Sequence, residues 1–544
     1  MPRRAVAFLF LTVALAVLVG HQPADSAPQE SGDFLAAEPA LPLPAPIEAA
    51  LAGIRADALM AHILYLASPA LEGRGLATPG LEAAAGYAAA ALAEAGVPPL
   101  ASGYSQTVPL RMFSGFTGRL TVERRGAAGG RRLSFPAGMD CDVSQLASQT
   151  VAAPLVFASF GIREPEMGRD DYRELDVRDK VVVALAGTPQ GDPWRRDDLM
   201  NRYASSDREE RWEAKLETAK GLGAAGFIGI ESGSDTARDP EYKWAGAPFF
   251  LAGDAPSGPE DIPLVRVSRS VAGLVLDAMG LDPASTGGAR PCLLPGVTAE
   301  IRLTADERPV SGRNVIGVVA GSDPDLREEA VVIGAHLDHL GVFRGKLYPG
   351  ADDNASGVAG LIEIAKALAG LDVKPKRTVV LAFWTGEEEG KFGSGYYVRH
   401  PLWPLARTVA YLNLDMIGHP WLMEEIRKLV ADAALPDGEA FLAKVKPEEF
   451  VEPGLPPGAR DLEDALRRAA RALGLALHFD RTDGVNGGSD YRDFARARVP
   501  FIRFFGNFFP GYHEPGDTPD ALDPVQAQRM ARLVFATAWL LADR

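Results

Sequence analysis

The stretch Arg377-Thr378-Val379-Val380-Leu381-Ala382-Phe383-Trp384-Thr385-Gly386-Glu387-Glu388-Glu389 decides the fold class. Its centre is apolar without alternation, as in a strand covered on both faces. It stops at a glycine and then at three carboxylates. A charge triplet is ordinarily a solvated face. This one follows directly on a buried strand, at the edge where open α/β sheets gather their functional groups. Adjacent carboxylates at a strand end diverge, so one can hold a cation while its neighbour reaches a water.

Outward from this run, strands are expected at 313–319, 330–335, 377–384, 409–414 and 499–505, and helices at about 356–368, 394–400, 462–473 and 524–541. Strand and helix in alternation predict a three-layer α/β/α domain with a mainly parallel, mixed sheet. Upstream, helical spacing covers 54–66 and 81–95, the second stopping at Gly96-Val97-Pro98. Between 112 and 298 the texture changes to short apolar runs at 151–157, 181–185, 226–230 and 264–267, separated by polar or Gly/Pro-rich stretches, with a helix carrying Lys215, Ala219 and Leu222. That pattern predicts an inserted β-rich domain with a βα element. Residues 28–45 read as a flexible leader. Residues 1–27 carry Arg3 and Arg4, an apolar run through Val19 and small residues near the end. This is the pattern of a secretory signal, and the run is shorter than the roughly 20 residues of a spanning helix. The mature protein is expected to be periplasmic or secreted.

The chain of 544 residues is too long for one core, and its formal net charge of −16 argues against a nucleic-acid partner. Only Cys141 and Cys292 are present. In an exported protein they could pair, or remain two separate buried thiols.

Four more segments carry candidate ligands. His336-Leu337-Asp338 follows a strand; its aspartate can orient the imidazole. His339 reads as a polar residue lining the rim. Pro349-Gly350-Ala351-Asp352-Asp353-Asn354-Ala355-Ser356-Gly357 enters a helix, and two successive aspartates exceed what an N-cap needs. A carboxylate fixed there could bridge two cations. Asp415, in Asn413-Leu414-Asp415-Met416, is a carboxylate in an apolar segment and needs a partner. His513 lies in Gly511-Tyr512-His513-Glu514, beyond the strand at 499–505. Two imidazoles and three or more carboxylates suit a pair of zinc-like ions, with one glutamate spare as a base.

Together these motifs resemble peptidase family M28, in the subgroup with an inserted protease-associated domain. Leu71-Glu72-Gly73-Arg74 resembles that subgroup's opening segment. Segments 180–185, 224–230 and 262–267 resemble protease-associated strands, and Arg313-Asn314-Val315-Ile316-Gly317 resembles the strand that re-enters the peptidase domain. The resemblance implies a peptidase domain from 46–111 and 299–544 with the insert at 112–298. It implies two zinc ions per chain: His336 and Asp415 on one, Glu388 and His513 on the other, Asp353 on both. Glu387 would be the general base on a water shared by the ions, Asp338 would support His336, and Tyr512 would donate to the reacting carbonyl. A cis peptide is implied at Asp353–Asn354. Gly488-Ser489-Asp490 resembles a motif that usually continues with histidine; Tyr491 stands there instead. The implied activity is aminopeptidase action on peptides with a free N-terminus, without nucleic acid and without a membrane beyond the signal. Other readings are a carboxypeptidase of the same family acting on acidic dipeptides, an M20-like deacylase, a glutaminyl-cyclase-like transferase, and a non-catalytic binding protein on this scaffold.

Overall fold

The computed structural model describes residues 33–544 apart from 126–129, 138–140, 144–147, 192, 205–209, 232–248, 254–261, 280–289 and 344. The signal expected over 1–27 lies outside the described residues. The chain forms two compact units, one of residues 1–110 with 310–544 and one of 111–309.

In the first unit the strands include β1 (Phe34–Leu35), β2 (Cys292–Val319, contributing 315–319), β3 (Ala330–His336), β4 (Thr378–Trp384), β5 (Thr408–Asp415), β6 (Phe450–Val451), β7 (Gly454–Leu455), β8 (Ala476–His478), β9 (Asp480–Arg481) and β10 (Phe501–Phe505). The main sheet runs β9-β7-β10-β5-β3-β4-β2. Its centre, β10-β5-β3-β4, is parallel, while β2 joins β4 and β7 joins β10 antiparallel. Every residue of β3 and β4 is buried, which is why neither alternates in polarity.

The helices include α1 (Ala45–Gly53), α2 (Ala56–Leu66), α3 (Pro79–Glu94), α4 (Gly357–Ala369), α5 (Phe392–Arg399), α6 (Met423–Asp432), α7 (Arg460–Leu473), α8 (Tyr491–Arg496) and α9 (Pro524–Ala542). Helices α2, α4 and α9 pack together against one face of the sheet, α9 being buried along most of its length. On the other face, α5 and α8 enclose an aromatic core of Trp384, Tyr397, Tyr411, Tyr491, Phe494 and Phe501. The Tyr411 and Phe494 rings stack at 3.9 Å, and Trp384 Nε1 donates to the Tyr411 hydroxyl at 2.9 Å. This is a three-layer α/β/α arrangement with a mixed sheet.

Three expectations need correction here. The helix expected at 54–66 begins only at Ala56, because Ile54 turns extended (φ −78°, ψ 107°) at the end of the separate helix α1 and its carbonyl accepts from Gln528 and Arg532 on α9. The leader expected to be flexible over 28–45 is fixed along its described part. Phe34–Leu35 pairs antiparallel with β8, Phe34 stacks on His478 at 4.1 Å, and the Asp33 carboxylate accepts from the Arg481 guanidinium. One aromatic side chain with a sheet edge to join outweighs the disorder-prone composition around it. The insert carries the expected strands and the expected βα element. Its strands Gln149–Phe157, Val181–Leu185, Gly226–Ile230 and Leu264–Val267 are successive parallel neighbours, with helices Glu210–Gly221 and Arg269–Met279 among them. The second unit closes later than 298, because residues 298–303 of β2 still pair with 149–154.

Cys141 and Cys292 stand on strands registered against Val267 and Phe157, and no disulfide joins them; Cys141 is buried and Cys292 partly so. Of the two alternatives, the structure has the separate thiols.

Candidate metal centre

The centre is built at the C-terminal ends of the parallel strands. His336 is the last residue of β3, Asp415 the last of β5, and Glu387 and Glu388 follow β4 after Thr385-Gly386. Asp353 comes from the single irregular turn Ala351–Ser356 that leads into α4, and His513 from the loop after β10. All are buried except Asp415, which is partly exposed.

Asp353 divides its two oxygens between two histidines. Its Oδ1 lies 3.3 Å from His336 Nε2, which is 3.3 Å from Asp415 Oδ1. Its Oδ2 lies 2.9 Å from His513 Nε2, which is 3.3 Å from Glu388 Oε2. Ligands at tetrahedral angles on an ion with bonds of about 2.0–2.1 Å are separated by about 3.3–3.4 Å. Three of the four separations sit at that edge length, and the fourth, Asp353 Oδ2 to His513 Nε2, is shorter at 2.9 Å. Glu388 Oε2 is buried and accepts no hydrogen bond, as an oxygen reserved for a cation would be. The donor set therefore fits two ions sharing Asp353, and the mixture of imidazole and carboxylate suits zinc.

The electrostatics point the same way. Burial pulls the His513 imidazole down, but the charges of Glu388 and Asp353 outweigh it and raise it to about 10. Burial and Asp353 push Glu388 up, yet His513 and His339 bring it down to about 2. Such closely set carboxylates demand positive charge, which divalent ions supply.

A second set of groups fixes the first. The Asp338 carboxylate accepts the backbone N–H groups of Glu387 and Glu388, both at 3.1 Å, and His336 Nδ1 meets the Asp338 carbonyl at 3.1 Å. Asp338 thus orients the glutamate pair as much as His336; its carboxylate is 3.9 Å from that ring. Asp517 does the same for the bridging turn, accepting from the N–H of Asp352 at 2.8 Å and of Asp353 at 3.1 Å. The Asp353–Asn354 peptide is cis, as the family resemblance implies. Asn354 ties the turn to β5, donating to the Leu414 carbonyl at 2.9 Å and accepting from Met416 N–H at 3.3 Å. Glu387 pairs with Lys391 Nζ at 2.9 Å, both nearly inaccessible. Burial pushes the Glu387 carboxyl well up, opposed by Lys391 and His336. Tyr512 stacks on His513 at 3.7 Å, and burial raises its hydroxyl well above its ordinary range. Asp490 is buried at the N-terminus of α8, where burial raises it to about 7.

Arg74 binds the segments together. Its guanidinium donates to the carbonyls of Leu337, Leu66, Pro349 and Gly350 at 2.6–2.8 Å. The preceding Gly73 has φ +66°, and a Cβ there would strike the Tyr348 and Gly341 carbonyls. Burial lowers Arg74 to about 10, so it stays cationic at neutral pH. Replacing it with Met leaves four buried carbonyls unanswered, a cost on the order of 3 kcal/mol. The expected result is a melting temperature lower by about 6–12 °C by calorimetry; a shift within 2 °C would contradict the clamp.

Residues 314–538 match the model of peptidase family M28. These residues form an M28 peptidase domain. Relatives of the chain include the uncharacterized protein YfbL of Escherichia coli, 29% identical over 45% of this chain and 76% of that protein. Leucine aminopeptidase 2 of Trichophyton rubrum is 28% identical over 38% of this chain and 40% of its own length. The probable lipoprotein aminopeptidase LpqL of Mycobacterium tuberculosis is 29% identical over 41% and 44%. The chain thus spans less than half the length of these two named aminopeptidases. Among solved structures, the aminopeptidase from Aneurinibacillus sp. strain AM-1 superposes with a TM-score of 0.52 at 17% identity, covering 91% of this chain and 96% of that one. At that identity the likeness concerns the fold. The M28 domain contains every candidate ligand and the candidate base.

His339, Lys391, Arg74 and Asp517 were not singled out from sequence as part of the M28 centre. Only His339 carried a signal, its place one residue beyond Asp338. It is fully buried rather than a rim residue.

Proposed function

We propose that the chain is an exported two-zinc aminopeptidase that releases N-terminal residues from peptides. The observation that carries this reading is the division of the Asp353 carboxylate between the His336–Asp415 pair and the His513–Glu388 pair. When bound, the two ions would lower the pKa of a water toward neutrality and polarise the scissile carbonyl.

The chain's own groups do the rest. Glu387 takes the proton of the attacking water and passes it to the leaving amine. Its raised affinity for a proton in this buried position suits transfer near neutral pH. Asp338 keeps Glu387 in place through its backbone. Tyr512 keeps its proton and donates a hydrogen bond to the carbonyl oxygen as negative charge develops there. The surrounding carboxylates draw the free α-amine of the substrate toward the centre, which selects chain ends. The unit of residues 111–309 is read as a protease-associated domain that restricts long or folded substrates. The apolar run and small residues of 1–27 support export.

Aminoacyl-nitroanilides and their Nα-acetylated counterparts test the reading. Chelator-sensitive release from the free-amine series, with none from the acetylated series, is the expected result. Equal release from both, or cleavage confined to acidic dipeptides, would overturn it.

A further inference from the structure

The M28 centre contains a third histidine that neither ion requires. His339 is buried, and its Nδ1 lies 2.6 Å from Glu388 Oε1. The other oxygen of that carboxylate, Oε2, faces His513 Nε2 at 3.3 Å. Glu388 is therefore held from two sides, one oxygen by His339 Nδ1 and one turned toward the His513 pair. The same His339 nitrogen is 3.8 Å from Asp353 Oδ2, too far for a hydrogen bond. The ring is 5.8 Å from that of His513.

The fold holds this ring deliberately. Its backbone N–H donates to the Arg74 carbonyl at 3.2 Å, so the clamp that ties the loops also sets the His339 backbone. The ring packs close to Gly350, whose φ is +59°. A Cβ at Gly350 would come within 2.5 Å of the His339 Cγ and Cδ2 atoms. His339 Nε2 is buried and has no hydrogen-bond partner. Among the described residues, its Nδ1 is within hydrogen-bond reach of Glu388 alone.

We propose that His339 is a positioning residue for the second ion: it occupies one oxygen of Glu388, so that this ligand binds through the other oxygen alone. A carboxylate free to turn could chelate with both oxygens and fill a position that substrate needs. Fixing a ligand from behind also removes the entropy of ordering it when the ion binds. Partners of this kind are worth about 10–100-fold in metal affinity.

The inference rests on the two-ion reading above, and its test separates the two. Zinc affinities of the full chain are measured by competition with a fluorescent chelator for the native protein, His339→Ala and His339→Asn. An asparagine places its amide N–H about where Nδ1 lies and keeps the donor. The expected result is one native-like site in all three proteins and a second site weakened about 10–100-fold in His339→Ala. In His339→Asn that second site should stay within about threefold of native, since the donor is retained. Melting of the zinc-free proteins should agree. Unchanged affinities in His339→Ala overturn the inference, as do equal losses at both sites or equal losses in both variants. A His339→Ala protein that does not fold also overturns it, since the ring would then serve packing. Fewer than two zinc sites in the native protein would instead overturn the two-ion reading itself.

Discussion

Glu387→Gln is expected to lose about 10²–10⁴-fold in kcat while retaining its zinc. Glu387 is not among the groups that divide around Asp353; it pairs with Lys391 at 2.9 Å. Its backbone is fixed by Asp338, so the amide variant keeps the position of the side chain. What it loses is the lone pair that accepts a proton. KM should change little, because the substrate amine and carbonyl meet other groups. Metal analysis beside steady-state kinetics checks both halves. A variant with kcat within tenfold of native would remove Glu387 from its role. A variant inactive only because zinc is lost would make Glu387 a ligand.

Asp353→Asn should have the second large effect, of a different kind. Native Asp353 offers one oxygen to each histidine pair. An amide offers one oxygen and one N–H group, which repels a cation. The variant should hold at most one ion with native affinity, and activity should fall by more than the ~10²-fold typical of outer-shell changes. The turn itself should survive, because Asp517 binds the backbone N–H groups of 352 and 353 and Asn354 binds β5, none through the changed side chain. Zinc stoichiometry and thermal melting of the zinc-free protein separate the outcomes. Two ions retained at native affinity would show that Asp353 does not bridge.

Much of the M28 domain was legible in the sequence because buried parallel strands are written as unbroken apolar runs. Strands β3, β4, β5 and β10 lie within two residues of the expected ranges. Their ends were legible for the same reason: a carboxylate or imidazole after such a run is a costly residue in an apolar place. The supporting groups were not legible. Arg74 lies 263 positions from the Leu337 carbonyl it holds, and Asp517 lies 165 from Asp352. Nothing local distinguishes such residues from surface charges. Lys391 carried no local signal, yet it takes φ +60° just before α5 and pairs with Glu387. The leader misled because composition averages over neighbours, while one phenylalanine at 34 was enough to anchor it. The insert's strands at 151–157, 181–185, 226–230 and 264–267 were legible, but not their parallel direction, because short apolar runs carry no sign of it.

The central claim is a centre that holds two ions on one shared carboxylate. The most direct measurement is the zinc content of the protein purified without chelator and dialysed against zinc-free buffer. The account predicts about two zinc ions per chain, both removed by chelator together with activity. One ion per chain, or none after zinc has been supplied, would contradict it.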